Sequence, residues 1–445
     1  MGTLTDTGAA GGADRTVVPR GRPGPGSETG RAAGLRRWWD ASRVGMGMAL
    51  SRIVVGVLIA HFVVVLAPQD VLHSKLGTLS NGSWLGAFDR WDASYYTTIA
   101  AHGYPAHLAD ARAFFPGYPL VVRVAHVVTG GLPSYTQAAC LVSFAAFGLA
   151  AGLLHPLVGR RFGGRAALVS TALFCWFPTS VFYLAPYSEA LFALEIVTVA
   201  VLLDRGRWWL AALVAGYATA TSPEAVVLTA ALVVAAIVAR RGIWRTVGYA
   251  VVGSLGVAGY MAYLGARFGH PLAFAQVQTD FHRTVVFPFV GMAHNVVAVV
   301  HVLTAHRADP AILPNLSADA LWSNIAFMWV VNDAVLVLAA VALVVLVVRS
   351  VGDHRGRRPA GARVPAAWIV VLGGVVLIAS GTVIHQAGYA STESAARMVS
   401  VAFPLYVGLA LVLRRRPWPL VLGLGLSMAA AIVVQVLFNL GYWVT

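Results

Sequence analysis

The sequence predicts an all-α integral membrane protein with about eleven spanning helices, and composition and charge placement both lead to this class. Its 445 residues are 58% hydrophobic and 11% charged, with a mean hydropathy of +0.73. A soluble domain carries about a quarter charged residues, so this chain cannot cover a water-facing surface. The formal net charge of +14 lies in short arginine clusters between long apolar runs. That placement is typical of membrane topology and argues against a nucleic-acid-binding groove.

The arginine clusters also predict the orientation, because cytoplasmic loops are enriched in arginine. Five clusters are placed inside: 160–165, 205–207, 240–245, 349–363 and 414–416. The intervening connections, where most acidic residues fall, are then outside. The predicted protein lies in the plasma membrane with its N-terminus in the cytoplasm. Residues 1–44, rich in Gly, Pro and Arg, are expected to form a disordered cytoplasmic tail, and residues 45–445 the membrane domain.

Two apolar stretches, residues 114–128 and residues 287–303, are interrupted by prolines or polar residues. They are expected to lie at the outer membrane interface, each within one of two large outer loops, residues 67–134 and residues 265–322. If both stretches span the bilayer instead, the number of spanning helices rises to about thirteen, against the positive-inside rule.

The first outer loop carries the most informative segment. From Phe88 to Tyr96 it reads Phe-Asp-Arg-Trp-Asp-Ala-Ser-Tyr-Tyr, so Asp89 and Asp92 stand three residues apart, on one face of a helix. A carboxylate at this surface can act as general base on a hydroxyl or hold a sugar by hydrogen bonds. The alternative interpretation is a solvated helix cap with Trp91 at headgroup level.

Several segments, in a fixed order, resemble the PIG-V-like family of GT-C mannosyltransferases and its bacterial members. They are Arg90 to Tyr96, Gly103-Tyr104, Phe114 to Leu120, Phe177 to Phe192, Gly269 to Gln276, Arg397 to Pro404 and Phe438 to Val444. The similarity runs from about Ser51 to the C-terminus. One segment departs from the family pattern, because Thr221-Ser222-Pro223-Glu224 stands where relatives carry an arginine-asparagine-glycine type of turn.

The resemblance implies a GT-C membrane bundle with its active site on the extracytoplasmic face. Such an enzyme transfers a sugar, here expected to be mannose, from a polyprenyl-phosphate donor with inversion. The acceptor would be a glycan, a glycolipid or a protein. Asp92 would be the general base, with Asp89 as the second candidate. Cations would stabilise the departing phosphate; the candidates are Arg397, Arg283, His385 and Arg123. The candidates for substrate binding are Arg90, Tyr95, Tyr96, Tyr187, Glu189 and Gln276. For Arg397 and Glu189, the alternatives are interfacial snorkelling and a helix-terminus role.

No cofactor and no structural metal are expected, since the histidines of the first outer loop match no zinc spacing. A divalent ion near Asp89 and Asp92 is the alternative. Two other functions stay open on the sequence. One is a protein O-mannosyltransferase or a transferase of another lipid-linked sugar. The other is a lipid-carrier flippase or transporter, which favours paired ionisable groups near the bilayer midplane and pseudo-symmetric halves.

Overall fold

The computed structural model describes residues 26–66, 84–305, 318–354, 363–386, 389–392, 394–442 and 444. These residues are mainly helical. In chain order, the helices are α1 Gly26–Leu66, α2 Ala93–His102, α3 Gly117–Val128, α4 Tyr135–Phe162, α5 Gly164–Cys175, α6 Glu189–Asp204, α7 Trp208–Thr221, α8 Val226–Val238, α9 Ile243–Gly253, α10 Leu255–Phe268, α11 Ala273–Asp280, α12 Val290–Ala305, α13 Ala318–His354, α14 Ala366–Ser380, α15 Ala395–Ser400, α16 Pro404–Leu413 and α17 Pro417–Leu440. Short 3₁₀ helices span Trp84–Phe88, Ala109–Ala113, Ser180–Tyr183 and Pro223–Ala225. The chain divides into a unit of residues 1–40 and a compact unit of residues 41–445.

The N-terminal segment differs from the predicted disordered tail. Helix α1 begins at Gly26, inside residues 1–44, and continues to Leu66. Pro25 is the last proline before Pro68, so nothing between them removes a backbone donor from the helix. Residues 1–25 of the predicted tail lie outside the described residues.

The prediction of a helical membrane protein is confirmed. In the described part of the chain, four helices are long and apolar enough to cross a bilayer: Arg36–Leu66, Tyr135–Phe162, Phe327–Gly352 and Pro417–Leu440. Helices α9 and α10 form a fifth candidate span that is bent by 46°. Other apolar helices, α3 among them, are shorter than a bilayer requires. The count of about eleven spanning helices therefore stays a prediction.

Small residues bring the bent pair close to α7. A Cβ atom added at Gly216 would lie 2.3 Å from the carbonyl oxygen of Val252, and one at Gly256 would lie 2.2 Å from that of Gly216. Only glycine permits backbones to approach this closely, as is typical of helix packing in membranes. The contact supports the outer end of α7, from which the 3₁₀ helix Pro223–Ala225 continues.

A small antiparallel sheet departs from the all-α expectation. Its order is β1 Arg283–Val285, β2 Thr382–Gln386 and β3 Tyr389–Ser391, with Arg283 opposite Ile384. The strands form where two outer segments, far apart in sequence, satisfy each other's backbone groups. The sheet brings the segment after α11 next to the segment that leads into α15.

Helix α6 separates two polar ends of the molecule. At its C-terminal end, Asp204 forms ion pairs with Arg160 and Arg161 of α4. Glu189 stands at its N-terminal end, and the 16 residues of the helix correspond to a rise of about 24 Å. One arginine cluster thus lies a membrane-scale distance from Glu189.

Candidate active site

A strained turn carries the carboxylate of the first outer loop. Trp91 has φ of 54°, in the left-handed region that a bulky side chain rarely adopts. Asp92 follows it, immediately before α2 begins at Ala93. Its side chain turns away from the backbone of α2 and towards Arg397. The turn therefore presents a carboxylate to another part of the molecule instead of using it as a helix cap.

Arg397 joins two carboxylates. Its Nη1 donates to Asp92 Oδ2 at 2.7 Å, and its Nε lies 3.1 Å from Glu189 Oε1. Its guanidinium also stacks over Phe182 and Tyr187, at 5.4 Å and 5.5 Å from the ring centres. Burial alone would lower the pKa of Arg397, but the charges of Glu189 and Asp92 raise it above the ordinary value. The result is a charged triad whose three side chains are held in fixed positions.

The triad opens onto a cavity of about 640 Å³. Asp92 is the most accessible of the three, with 24% of its side chain exposed, against 12% for Arg397 and 11% for Glu189. Tyr95, stacked on Phe114 at 4.5 Å, contributes to an aromatic wall. A cavity with an aromatic wall and a few convergent polar groups is typical of a small-molecule site.

Charged side chains of both signs line the cavity. The described lining holds four carboxylates and two arginines: Asp92, Glu189, Glu224, Asp280, Arg283 and Arg397. Arg283 lies at the start of β1 and donates to Gln278 Oε1 at 3.1 Å. His282 stands beside it in the lining. The acidic excess is therefore arranged around Arg397, while the segment 278–283 supplies a second cation.

Buried polar groups hold the strained turn from behind. Arg90 Nη2 donates to the carbonyl of Asn439 at 2.9 Å, and Asn439 Nδ2 donates to the carbonyl of Ala87 at 2.8 Å. Tyr187 donates its hydroxyl to the carbonyl of Arg90 at 2.9 Å. Gln435 Nε2 donates to Asn439 Oδ1 at 2.7 Å. The end of α17 thus fixes the backbone that carries Asp92.

A second set of hydrogen bonds fixes the helix that carries Arg397. The side-chain oxygen of Asn332 accepts from the backbone N–H of Ala396 at 2.8 Å. Next to it, Asn295 Nδ2 donates to Asp333 Oδ1 at 2.8 Å and to Thr392 Oγ1 at 2.7 Å. Asn332 and Asp333, both on α13, therefore have structural partners that position α15.

Six of the residues predicted from sequence meet at the cavity: Asp92, Tyr95, Tyr96, Glu189, Arg283 and Arg397. Arg90 and Tyr187 instead support the turn from behind, as their hydrogen bonds show. Arg123 is exposed on α3, where it donates to the carbonyl of Ala100 at 3.4 Å. Gln276 is outside the lining and Gln278, on the same helix, is within it. His385 lies on β2, and its side chain is outside the described residues.

Asp89, the second candidate for the base, is not among the residues that line the cavity, and its role stays a prediction. Its Oδ2 accepts from Thr136 Oγ1 at 2.7 Å. Burial raises the pKa of Asp89, although Thr136 and Arg90 act in the opposite direction. The strained turn at Trp91 explains the difference from expectation, because it breaks the helix that would have placed both carboxylates on one face.

The sequence interpretation missed several cavity residues: Ser188, Ser222, Gln278 and Asp280. Ser188 and Ser222 stand next to residues that the sequence had singled out. The signal for Ser222 was its place at a proline break between two apolar helices on the outer side. Gln278 and Asp280 carry no such signal, since the sheet that brings them to the cavity joins distant segments.

Part of the chain is similar in sequence to known proteins. Residues 58–240 match the family model described as Mannosyltransferase (PIG-V). The matched region contains Asp92, Glu189 and Glu224, whereas Arg397 lies beyond it. The GPI alpha-1,6-mannosyltransferase 2 of Cricetulus griseus is 38% identical over 144 residues, which are 30% of this chain and 28% of the relative. That of Homo sapiens is 37% identical over 144 residues, 30% of this chain and 29% of the relative.

The matches thus span less than a third of these relatives' length. Among solved structures, the oligosaccharyltransferase of Archaeoglobus fulgidus in complex with Zn and sulfate is similar with a TM-score of 0.46, 12% identity, and coverage of 88% of this chain and 53% of that one. ArnT from Cupriavidus metallidurans bound to undecaprenyl phosphate is similar with a TM-score of 0.39 and 16% identity. The match covers 88% of this chain and 77% of the ArnT chain. The family model confirms the resemblance seen in the sequence, over residues 58–240 of this chain.

Proposed function

We propose that this protein is a GT-C membrane glycosyltransferase that transfers mannose from a polyprenyl-phosphate donor to an acceptor hydroxyl, with inversion. The family match supports mannose as the sugar. The predicted topology supports a reaction on the extracytoplasmic face of the plasma membrane, with residues 45–445 as the transferase domain. The acceptor is a glycan, a glycolipid or a protein.

The observation that carries this proposal is the triad of Asp92, Arg397 and Glu189 at the cavity wall. In an inverting transfer, the acceptor oxygen attacks the anomeric carbon while its proton passes to a carboxylate. Asp92 is the partly exposed carboxylate of the triad and takes that proton. Arg397 holds the Asp92 carboxylate in one orientation, which is the positioning that such a reaction requires.

The bond that breaks joins the anomeric carbon to a phosphate oxygen, so the polyprenyl phosphate leaves with one more negative charge. A preorganised cation at that oxygen stabilises the transition state. Arg397 is engaged by two carboxylates, and the cavity lining contains a second arginine, Arg283. We therefore assign the departing phosphate to the wall that contains Arg283.

The test is a transfer assay on purified protein in lipid, with radiolabelled polyprenyl-phosphate mannose and host membrane extract as acceptor. Asp92→Asn should lower the rate of transfer about a hundredfold or more, since general-base catalysis contributes roughly 10²- to 10⁴-fold. Asp89→Asn removes a neighbouring carboxylate that does not line the cavity, and transfer should stay within about tenfold of wild type. The melting temperature of each variant separates lost chemistry from lost folding.

Three outcomes contradict parts of the proposal. Substantial transfer by Asp92→Asn rejects Asp92 as the base. Loss of transfer only in Asp89→Asn moves that role to Asp89. Absence of transfer by the wild type, together with movement of the lipid donor across vesicles that lack an acceptor, favours the flippase or transporter alternative.

A further inference from the structure

Glu189 has an oxygen that the triad does not use. The residue is 9% exposed and lines the cavity, and its Oε1 lies next to Arg397. Its Oε2 is buried and has no hydrogen-bond partner within the described ranges. A buried carboxylate oxygen without a hydrogen-bond partner is costly, and a ligand that donates a hydrogen bond to it would lower that cost.

The segment Ser222-Pro223-Glu224 supplies another carboxylate to the same cavity. Ser222 donates its hydroxyl to Glu224 Oε2, and both residues line the cavity. Glu189 and Glu224 are therefore two carboxylates of one cavity lining. Thr221 donates to Glu195 Oε1 at 2.8 Å, and Glu195 is not among the residues that line the cavity, whereas Glu189 and Glu224 are.

The chemistry of this group favours a neutral polyhydroxyl ligand. A hard divalent cation takes six or more oxygen ligands, and no group of three or more His, Cys, Asp or Glu residues suited to a metal occurs in the part of the chain that the structure describes. A phosphate or carboxylate would be repelled by both acids. Sugar hydroxyls, by contrast, donate to carboxylate oxygens and accept from a serine hydroxyl.

The position of Glu189 relative to Asp92 indicates whether the bound sugar is the donor or the acceptor. Glu189 is joined to Asp92 through Arg397, so a ligand at Glu189 lies beside the proposed base. The donor brings an anionic phosphodiester, which is better placed near Arg283. We propose that Glu189, Ser222 and Glu224 form the binding subsite for an acceptor sugar that carries no negative charge.

This inference rests on the proposed function, because that reaction is what requires an acceptor hydroxyl next to Asp92. It adds a restriction that the family match does not contain. Thr221-Ser222-Pro223-Glu224 is the segment in which this chain departs from the family pattern. Glu224 would therefore set the acceptor preference of this protein in particular.

The test compares two probes that differ only in charge, methyl α-mannoside and its uronate with a carboxylate at C6. Their binding to purified protein in lipid nanodiscs is measured by saturation-transfer NMR. The wild type should bind the mannoside at least tenfold more tightly than the uronate. Glu224→Gln should weaken mannoside binding roughly tenfold, as expected for a lost hydrogen bond to a charged group, and should reduce the discrimination against the uronate.

Asp280→Asn is the matched control, since it removes one negative charge from another part of the lining. It should change mannoside binding by no more than about twofold if a specific subsite, and not the total charge, is responsible. Ser222→Ala removes the donor that orients Glu224 and should weaken mannoside binding by a smaller factor than Glu224→Gln. It replaces Glu224→Gln as the test if the Glu224→Gln variant does not fold.

Equal binding of the two probes by wild type, no detectable binding of the mannoside, or equal effects of Glu224→Gln and Asp280→Asn would each overturn the inference. The transfer assay with radiolabelled donor is run in parallel on the same wild-type sample. Transfer without the expected probe binding rejects the subsite alone. Probe binding as expected without transfer supports the subsite and rejects the proposed function.

Discussion

Arg397 is the residue on which the geometry of the site most depends. One planar guanidinium contacts Asp92 with Nη1 and Glu189 with Nε, and stacks on two aromatic rings. A lysine would keep the charge but has one nitrogen at the end of a flexible chain. Its three N–H donors rotate about one bond, so it would not fix the angle between the two carboxylates.

We therefore expect Arg397→Lys to lower kcat/KM for mannose transfer by about tenfold to a hundredfold, or roughly 1.4–3 kcal/mol of transition-state stabilisation. Most of the change should appear in kcat, because the orientation of Asp92 matters for the proton transfer more than for donor binding. Steady-state kinetics with purified protein measures this. The control is Arg245→Lys, an exposed position on α9 outside the cavity lining. If Arg397→Lys retains the wild-type kcat, a positive charge at this position is sufficient and the fork geometry of the guanidinium is not required.

At this scale the sequence predicted some members of the site and none of their contacts. Asp92 and Glu189 stand out because acidic residues are scarce in this chain and these two flank apolar helices on the outer side. The ion pair of Arg397 with Asp92 joins residues that are 305 positions apart. A local sequence pattern cannot predict a contact over this distance in the chain. Arg397 was expected to bind phosphate, and in the structure it lies between two carboxylates.

The Arg90-Trp91-Asp92 turn depends on an element from the other end of the chain. Trp91 is held in the left-handed region, which costs of order 1–3 kcal/mol and must be offset by its surroundings. Asn439, near the end of α17, both accepts from Arg90 and donates to Ala87, so it brackets the turn on both sides. Helix α17 thus supports the turn that carries Asp92 in the candidate active site.

Asn439→Ala should accordingly lower kcat several-fold to tenfold while leaving the KM for the donor nearly unchanged. The substitution also removes a buried hydrogen bond and leaves Gln435 without its acceptor, a loss of about 1–3 kcal/mol of stability. Kinetics and thermal unfolding are measured together. Ser427→Ala on the same helix is the control, since it removes one hydrogen bond, to the carbonyl of Trp176, far along the chain from the turn. If both variants lose stability equally and neither loses kcat, the turn is not held by Asn439.

The elements themselves were predictable to different degrees. Long apolar runs predict α1, α4, α13 and α17, and the structure has these helices. The small sheet was not predictable, because β1 and β3 are three residues long and too short for an alternating pattern. The missed sheet accounts for Gln278 and Asp280 among the missed cavity residues, since it brings the segment 278–283 to the site.

On the scale of the whole molecule, charge is separated along α6. The ion pairs of Asp204 with Arg160 and Arg161 lie at its C-terminal end, and Glu189 at its N-terminal end faces the cavity. This agrees with the predicted topology, in which arginine-rich turns face the cytoplasm and the acidic loops face outward. The topology is still a prediction, because the arrangement within the protein does not by itself say which end is outside.

Labelling of single cysteines in intact cells decides the orientation. The two native cysteines, Cys140 and Cys175, are buried and give a low background. Leu132→Cys, 90% exposed in the turn between α3 and α4, should react with a membrane-impermeant maleimide in intact cells. Arg207→Cys, in the exposed turn before α7, should react only after the membrane is permeabilised. The opposite pattern would place the cavity in the cytoplasm, where a polyprenyl-phosphate sugar would have to be used on the inner leaflet. Labelling of both sites in intact cells would instead mean that α4, α5 and α6 do not together connect the two sides of the bilayer.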